Sequence, residues 1–215
     1  MKILKPKLSK ELQINYSFEK ALQEAVEEGA DELSQLCFAD EMLDDLLVEK
    51  LEFSDCYFLN CSLLDSEINK GFFVDVVFEK CDLANIKFTA CSFQRVEFKN
   101  CKLLGADFAE SVLNNSLLEQ CACKYINLSD TKIKHTIFSD TDLSEGLMQA
   151  SQLSLTSFFQ CNLTNVDFSQ TALHSIDLTT SEISGISVAG PELKGAIVSP
   201  YQASDLARFL GVIVK

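Results

Sequence analysis

Two histidines and nine cysteines are the side chains of this 215-residue chain with most capacity for chemistry. His135 and His174 have no nucleophile or ligand set beside them, so no acid–base constellation can be assembled and no enzyme is expected. Cys121-Ala122-Cys123 has the look of a metal pair, but zinc needs four converging ligands, and the spacing of these cysteines has a structural explanation below. Gly185, Gly190 and Gly195 suggest a phosphate-cradling loop until their spacing of five is noticed, which makes them chain corners. Neither a metal nor a cofactor is expected.

The remaining chemistry is electrostatic. There are 32 acidic against 18 basic side chains, a net charge of -14. Ten acids and no Lys or Arg lie between Ala21 and Glu49, seven acids and again none between His135 and Leu193, while Lys70–Lys134 holds nine of the basic residues. Such a balance repels nucleic acid and anionic lipid and attracts basic protein surfaces, so the expected partner is a basic protein, with no direct nucleic-acid or membrane binding. No stretch is apolar enough for a signal peptide or a membrane span, which predicts a cytoplasmic protein with reduced cysteines.

The elements that position these charges follow from a period of five. Every fifth residue from Leu33 to Val198 is apolar, 34 positions without an insertion, as in Phe73, Phe78, Leu83, Phe88, Phe93, Phe98, Leu103 and Phe108. Five residues turn an α-helix by about 500°, which scatters the series around every side. In a straight strand an odd step sends successive members to opposite faces. Only a chain that bends once per repeat points them all inward. Two residues earlier the position is small or β-branched, as in Cys81, Ile86, Cys91, Val96, Cys101, Ala106 and Ser111, and the residue between is mostly polar, as in Cys81-Asp82-Leu83 and Val166-Asp167-Phe168. A second period of 20 stacks like on like: Phe38, Phe58, Phe78, Phe98, Leu118, Phe138, Phe158 and Leu178 form one column, and Cys61, Cys81, Cys101, Cys121 and Cys161 another. Four repeats therefore close one coil with four sides, and 34 repeats make about 8.5 coils, a rod roughly 40 Å long at about 4.8 Å per coil.

This tandem pattern of small residue, Asp or Asn, Leu or Phe, and two variable residues resembles the pentapeptide-repeat family. The resemblance implies an all-β solenoid, a right-handed quadrilateral β-helix, here over 31–200. Its ends need caps, because a terminal coil bares unpaired backbone and apolar core. Residues 1–30 leave the repeat and supply an N-terminal cap or arm, with a short acidic helix predicted over Ser17–Glu28 before Gly29. Residues 201–215 supply a C-terminal helix carrying Leu206, Phe209 and Leu210 on one side, ended by Gly211, and then a β-branched tail. That is more apolar surface than one rod end needs, so Tyr201, Leu206, Phe209, Leu210, Val212 and Ile213 are candidates for homodimerisation.

Within the family the C-terminal segments Leu193-Lys194-Gly195-Ala196, Tyr201-Gln202-Ala203-Ser204 and Leu210-Gly211-Val212 resemble the end of the Qnr and MfpA type. Those are cytoplasmic bacterial proteins that bind DNA gyrase or topoisomerase IV and protect them from quinolones. The uninterrupted frame is similar to the loop-free Gram-positive and mycobacterial relatives; Gram-negative members carry inserted loops that matter for protection. The resemblance implies a rod that imitates DNA in a basic groove. The candidate contacts are Asp82, Asp142, Glu145 and Glu182 on one side and Asp107, Glu110, Asp130 and Asp167 on the next. Mimicry has to be local: an 80 Å duplex carries about 47 charges at one per 1.7 Å, against a dimer's -28, twice the chain's -14. The alternatives are an interaction scaffold without a topoisomerase role, to which outward Phe72, Leu155 and Phe159 would contribute, and self-immunity to a topoisomerase-poisoning natural product.

Overall fold

The computed structural model describes residues 2–14 and 17–211. Its body is a parallel β-solenoid in which successive coils pair at an offset of 20 residues. Phe53 pairs with Phe73, Phe73 with Phe93, Phe93 with Leu113, Leu113 with Ile133 and Ile133 with Leu153. The same offset runs from Glu32↔Glu52 to Asp177↔Ile197. The four sides are taken here from one coil: first 51–55, second 56–60, third 61–65, fourth 66–70, each repeating every 20 residues. Strands such as Glu52–Leu59, Phe72–Glu79 and Ser92–Lys99 cover the first two sides; the third and fourth pair mostly through isolated bridges.

The corner explains the period. The last residue of each repeat has positive φ, at every fifth position from Gln35 to Ser175, including Asn60 at 53° and Gly105 at 65°. Asn, Asp and Gly tolerate this left-handed region best, yet Leu155 and Tyr125 adopt it too, at a cost of roughly 1–2 kcal/mol each. Gly185 is required twice over: φ is 74°, and a Cβ there would sit 1.9 Å from Asn165 Oδ1.

Inside, the large residues are buried and stack by column. Phe58–Phe78 and Phe78–Phe98 centroids are 4.7 and 5.0 Å apart, and Phe73–Phe93 4.8 Å, all nearly parallel. The small inward residues also hold the coils together. Cys81, Cys101 and Cys121 donate their thiols to the carbonyls of Phe58, Phe78 and Phe98, each 23 residues back, at 3.4 Å. Ser111, Thr131 and Thr141 do the same to Phe88, Phe108 and Leu118. Cys, Ser and Thr are thus interchangeable here because each is small and can donate.

Helix α1 (Phe18–Glu28) closes one end. Phe18, Ala21 and Ala25 are buried, and the Phe18 ring lies 5.3 Å edge-on to Phe38. Helix α2 (Pro200–Leu206) closes the other and continues as a 3-10 turn to Leu210, ended by Gly211 at φ 71°. Its start is a capping box between Ser199 and Gln202, with Pro200 in the first turn. Gln202 Nε2 also donates to the Leu178 and Ser181 carbonyls, both at 2.8 Å, which pins the helix to the last coils.

Phe98, fully buried between Phe78 and the Leu118 level, is the natural probe of this core. Phe98→Ala should cost about 3–5 kcal/mol, read by chemical denaturation, whereas Phe72→Ala at a half-exposed outward position should stay within about 0.5 kcal/mol.

Candidate protein-interaction surface

The solenoid register settles which outward charges are neighbours. Asp82, Asp142 and Glu182 fall in one bridge column, Ser62-Asp82-Lys102-Ala122-Asp142-Asn162-Glu182, on the third side. Asp107 and Asp167 fall in the next, Glu67-Lys87-Asp107-Asn127-Leu147-Asp167-Ser187, on the fourth. Glu145 is a third-side corner, and Glu110 and Asp130 are fourth-side corners, all with positive φ. Asp82, Asp142, Glu145, Glu182, Asp107 and Asp167 therefore flank the edge between the third and fourth sides, while Glu110 and Asp130 stand at the next corner, where the fourth side meets the first.

They are not equivalent. Asp82 is ion-paired to Lys102 at 2.9 Å, as Glu67 is to Lys87 at 3.1 Å, each cation standing one coil above its partner. Asp107 and Asp142 serve their own turns, accepting the N–H of Ala109 at 3.0 Å and of Ser144 at 3.1 Å. Asp167 accepts the Ser169 N–H at 2.8 Å, and Glu182 the Ser184 N–H at 2.9 Å. For Asp167 burial works to raise the carboxyl pKa, but the Ser169 hydroxyl and N–H and the Gln149 amide together hold it below the usual range. The Ser184 hydroxyl, then its N–H, lowers Glu182 likewise. Asn at the same repeat position makes the same turn bond, as Asn127 to Ser129 and Asn162 to Thr164 show, so part of the acidity has a structural origin.

The groups with catalytic or metal-binding potential are dispersed. His135 occupies a corner at φ 48° and His174 an exposed outward position. Cys121 and Cys123 are both buried, and burial pushes the Cys56 and Cys91 thiols up to about 12, far from a reactive thiolate. Among the described residues no group of three or more His, Cys, Asp or Glu side chains could hold a metal ion. Among the same residues no helix is long and apolar enough to cross a membrane.

At the C-terminal end Tyr201 is 87% exposed. Leu206 and Phe209 pack partly on their own rod and line an apolar cavity of about 250 Å³ with Leu193, Ala196 and Val198. Leu210 closes the 3-10 turn, and Val212 and Ile213 lie outside the described residues. Outward Phe72, Leu155 and Phe159 are all exposed.

Sequence reasoning missed where the N-terminal arm lies. It runs lengthwise along the seam between the first and second sides. The Ser9 N–H donates to Asp55 Oδ1 at 2.7 Å, the Lys7 N–H to Asp75 Oδ1 at 2.8 Å and the Leu4 N–H to Asn115 Oδ1 at 3.0 Å. Asp75 is also held by Arg95 through two bonds, at 2.6 and 2.7 Å. No spacing in the sequence signals this placement, because the contacts are made by main-chain N–H groups of the arm.

Five-residue corners, 20-residue parallel register and a family model agree. The family model described as "Pentapeptide repeat region" matches residues 51–128 and 91–146. Residues 51–146 form a pentapeptide-repeat region. A search of curated proteins finds no match. Among solved structures, this chain is similar to a trypsin-treated variant of QnrB1, a plasmid-mediated fluoroquinolone resistance protein, at 20% identity over 84% of this chain and 99% of that one, TM-score 0.46. HetL, involved in heterocyst differentiation regulation in the cyanobacterium Nostoc, matches at 13% identity over 82% and 92%, TM-score 0.27. Rfr23 from the cyanobacterium Cyanothece matches at 12% over 85% and 100%, TM-score 0.25.

The arm's contact with Asp75 should be acid-labile. Burial raises this carboxyl's pKa, but Arg95 and the Lys7 N–H outweigh it and leave it depressed. A depressed carboxylate stabilises above its unfolded value, about 3.9, and the contribution is lost as pH falls through the folded value. The protection factor of the Lys7 amide, which corrects for the slower intrinsic exchange in acid, should therefore fall on acidification below about pH 4, and Asp75→Asn should flatten that dependence.

Proposed function

We propose that this rod binds a basic groove of a type II topoisomerase, DNA gyrase or topoisomerase IV, where duplex DNA would lie. In this reading it acts as a homodimer joined through its C-terminal end and thereby protects the enzyme from quinolones. It does no chemistry of its own and works in the cytoplasm. The observation that carries the reading is charge segregation on a rod: of the seven carboxylates between His135 and Leu193, none has a cationic partner among the described residues. The ion pairs between coils, Lys70–Glu49, Lys87–Glu67, Arg95–Asp75 and Lys102–Asp82, all lie nearer the N-terminus. Asp142, Glu145, Asp167 and Glu182 thus offer uncompensated charge along the C-terminal half of one edge, the half that a C-terminal dimer would place at its centre. The C-terminal segments that resemble the Qnr and MfpA type add the choice of partner.

A second reading, an interaction scaffold with a partner other than a topoisomerase, is favoured by Leu155, 60% exposed at a strained corner, and by exposed Phe159 on the same strand. Recovery of gyrase from a host lysate on the immobilised rod separates the two.

Because Asp107, Asp142 and Asp167 cap their own turns, the clean test is neutralisation with the acceptor oxygen retained. The triple variant Asp107→Asn, Asp142→Asn, Asp167→Asn should melt like the parent. It should bind gyrase about three- to a hundred-fold more weakly, from 0.2–1 kcal/mol per exposed pair, with a smaller salt dependence. Undiminished binding would remove this edge as the contact. For the dimer, Tyr201→Asp spares the packed Leu206 and Phe209; light scattering should show monomers, and a persistent dimer would refute the interface.

A further inference from the structure

The strongest unexplained feature lies beside the seam along which the N-terminal arm runs. Outward residues of a solenoid side should face water, yet Val77 and Glu97, each two residues past a seam corner, are only 4% exposed. Glu97 Oε2 is paired with Lys99, whereas Oε1 has no hydrogen-bond partner among the described residues. A buried carboxylate oxygen left without a donor is costly, so the structure with the arm seated carries a defect at this place.

The register of the arm shows where the defect comes from. Ser9 meets the Asp55 coil, Lys7 the Asp75 coil and Leu4 the Asn115 coil. The coil between the last two, which carries Arg95 and Glu97, is therefore spanned by Lys5 and Pro6. Proline has no N–H. At the height of the buried oxygen the arm therefore has one main-chain donor instead of two, that of Lys5. Its grip otherwise relies on main-chain N–H groups and the Ser9 hydroxyl, which also reaches Asp55. Lys2, Lys5, Lys7 and Lys10 all remain exposed. A mode of attachment that reads backbone and charge tolerates other sequences.

We propose that the seam lined by Asp55, Asp75, Glu97 and Asn115 is a docking site for an extended, Lys- or Arg-bearing peptide segment of a partner protein, with the chain's own arm as an imperfect occupant that such a segment displaces. The displacing segment supplies the donor that Pro6 withholds from Glu97. The arm's advantage is its tether, which acts as a high local concentration, so a competitor has to fit better. The seam is diagonally opposite the acidic edge, so this site is independent of the topoisomerase reading.

The test uses full-length chain whose own arm is unseated by Lys7→Pro and Ser9→Pro, substitutions that remove the two N–H donors to Asp75 and Asp55. Fluorescence anisotropy would compare a labelled peptide of residues 2–13 with the same peptide carrying Pro6→Lys. The expected result is that both bind and the Lys peptide binds about tenfold tighter, the worth of one added charge-assisted hydrogen bond. Glu97→Gln in the unseated chain should reduce that preference several-fold. Failure of both peptides to bind, or a tenfold preference that survives Glu97→Gln, overturns the proposal. Hydrogen exchange on the unmodified chain is a check that needs no variant. The Lys7 and Ser9 amides should exchange at least about 100-fold faster than the inter-coil amides of Leu83 and Phe88. Equal protection would make the arm a permanent part of the fold and refute displacement.

Discussion

One constraint governs the molecule: the chain must turn a corner through the left-handed backbone region every five residues and return after 20 to its own column. The corner residues from Gln35 to Ser175 meet the first demand with positive φ. Parallel pairing such as Phe58↔Phe78↔Phe98 meets the second, placing identical side chains one above another. The strain of a leucine or tyrosine at a corner is tolerable because the coils above and below fix the same geometry. Cooperativity of this nearest-neighbour kind is why the ends matter so much. Phe18 at one end, and the Gln202 amide with the flanks of Leu206 and Phe209 at the other, cover what would be bare core and unpaired carbonyls.

The interior columns leave only outward positions for function, and even these are shared with the fold. The residue just before each large one is often Asp or Asn because its side chain caps the turn, as Asp107, Asp142 and Asn162 do. Acidity at such a position is thus partly a by-product of turn chemistry. What distinguishes this rod is where compensating cations stand. Lys70, Lys87, Arg95 and Lys102 each answer a carboxylate one coil below, and beyond Lys134 no lysine or arginine occurs until Lys194. The result is a rod with balanced charge in its middle and a bare negative surface on its C-terminal half.

Much of this was legible in the sequence because solenoid contacts are periodic. The five-residue step determines which side chains face inward, and the 20-residue step identifies columns, including the cysteines that otherwise suggest zinc. The face assignments of Asp82, Asp142, Asp107 and Asp167 follow from the same arithmetic. The placement of the arm was not legible, because Leu4 meets Asn115 across 111 positions and no period links them. Nor could spacing alone reveal that Gln202 reaches back to Leu178 and Ser181, or that Glu97, nominally outward, is buried with one oxygen unpartnered. These are contacts between the repeat and the segments that lie outside it.

The proposed role, occupation of a topoisomerase's DNA site by an acidic rod, requires a change in what that enzyme does to DNA. Supercoiling by purified gyrase, with and without a fluoroquinolone, across a titration of this protein, tests this most directly. Low concentrations should restore supercoiling in the presence of the drug, and high concentrations should inhibit it without drug. No change at any concentration, with gyrase and with topoisomerase IV from a matched host, would contradict a topoisomerase role.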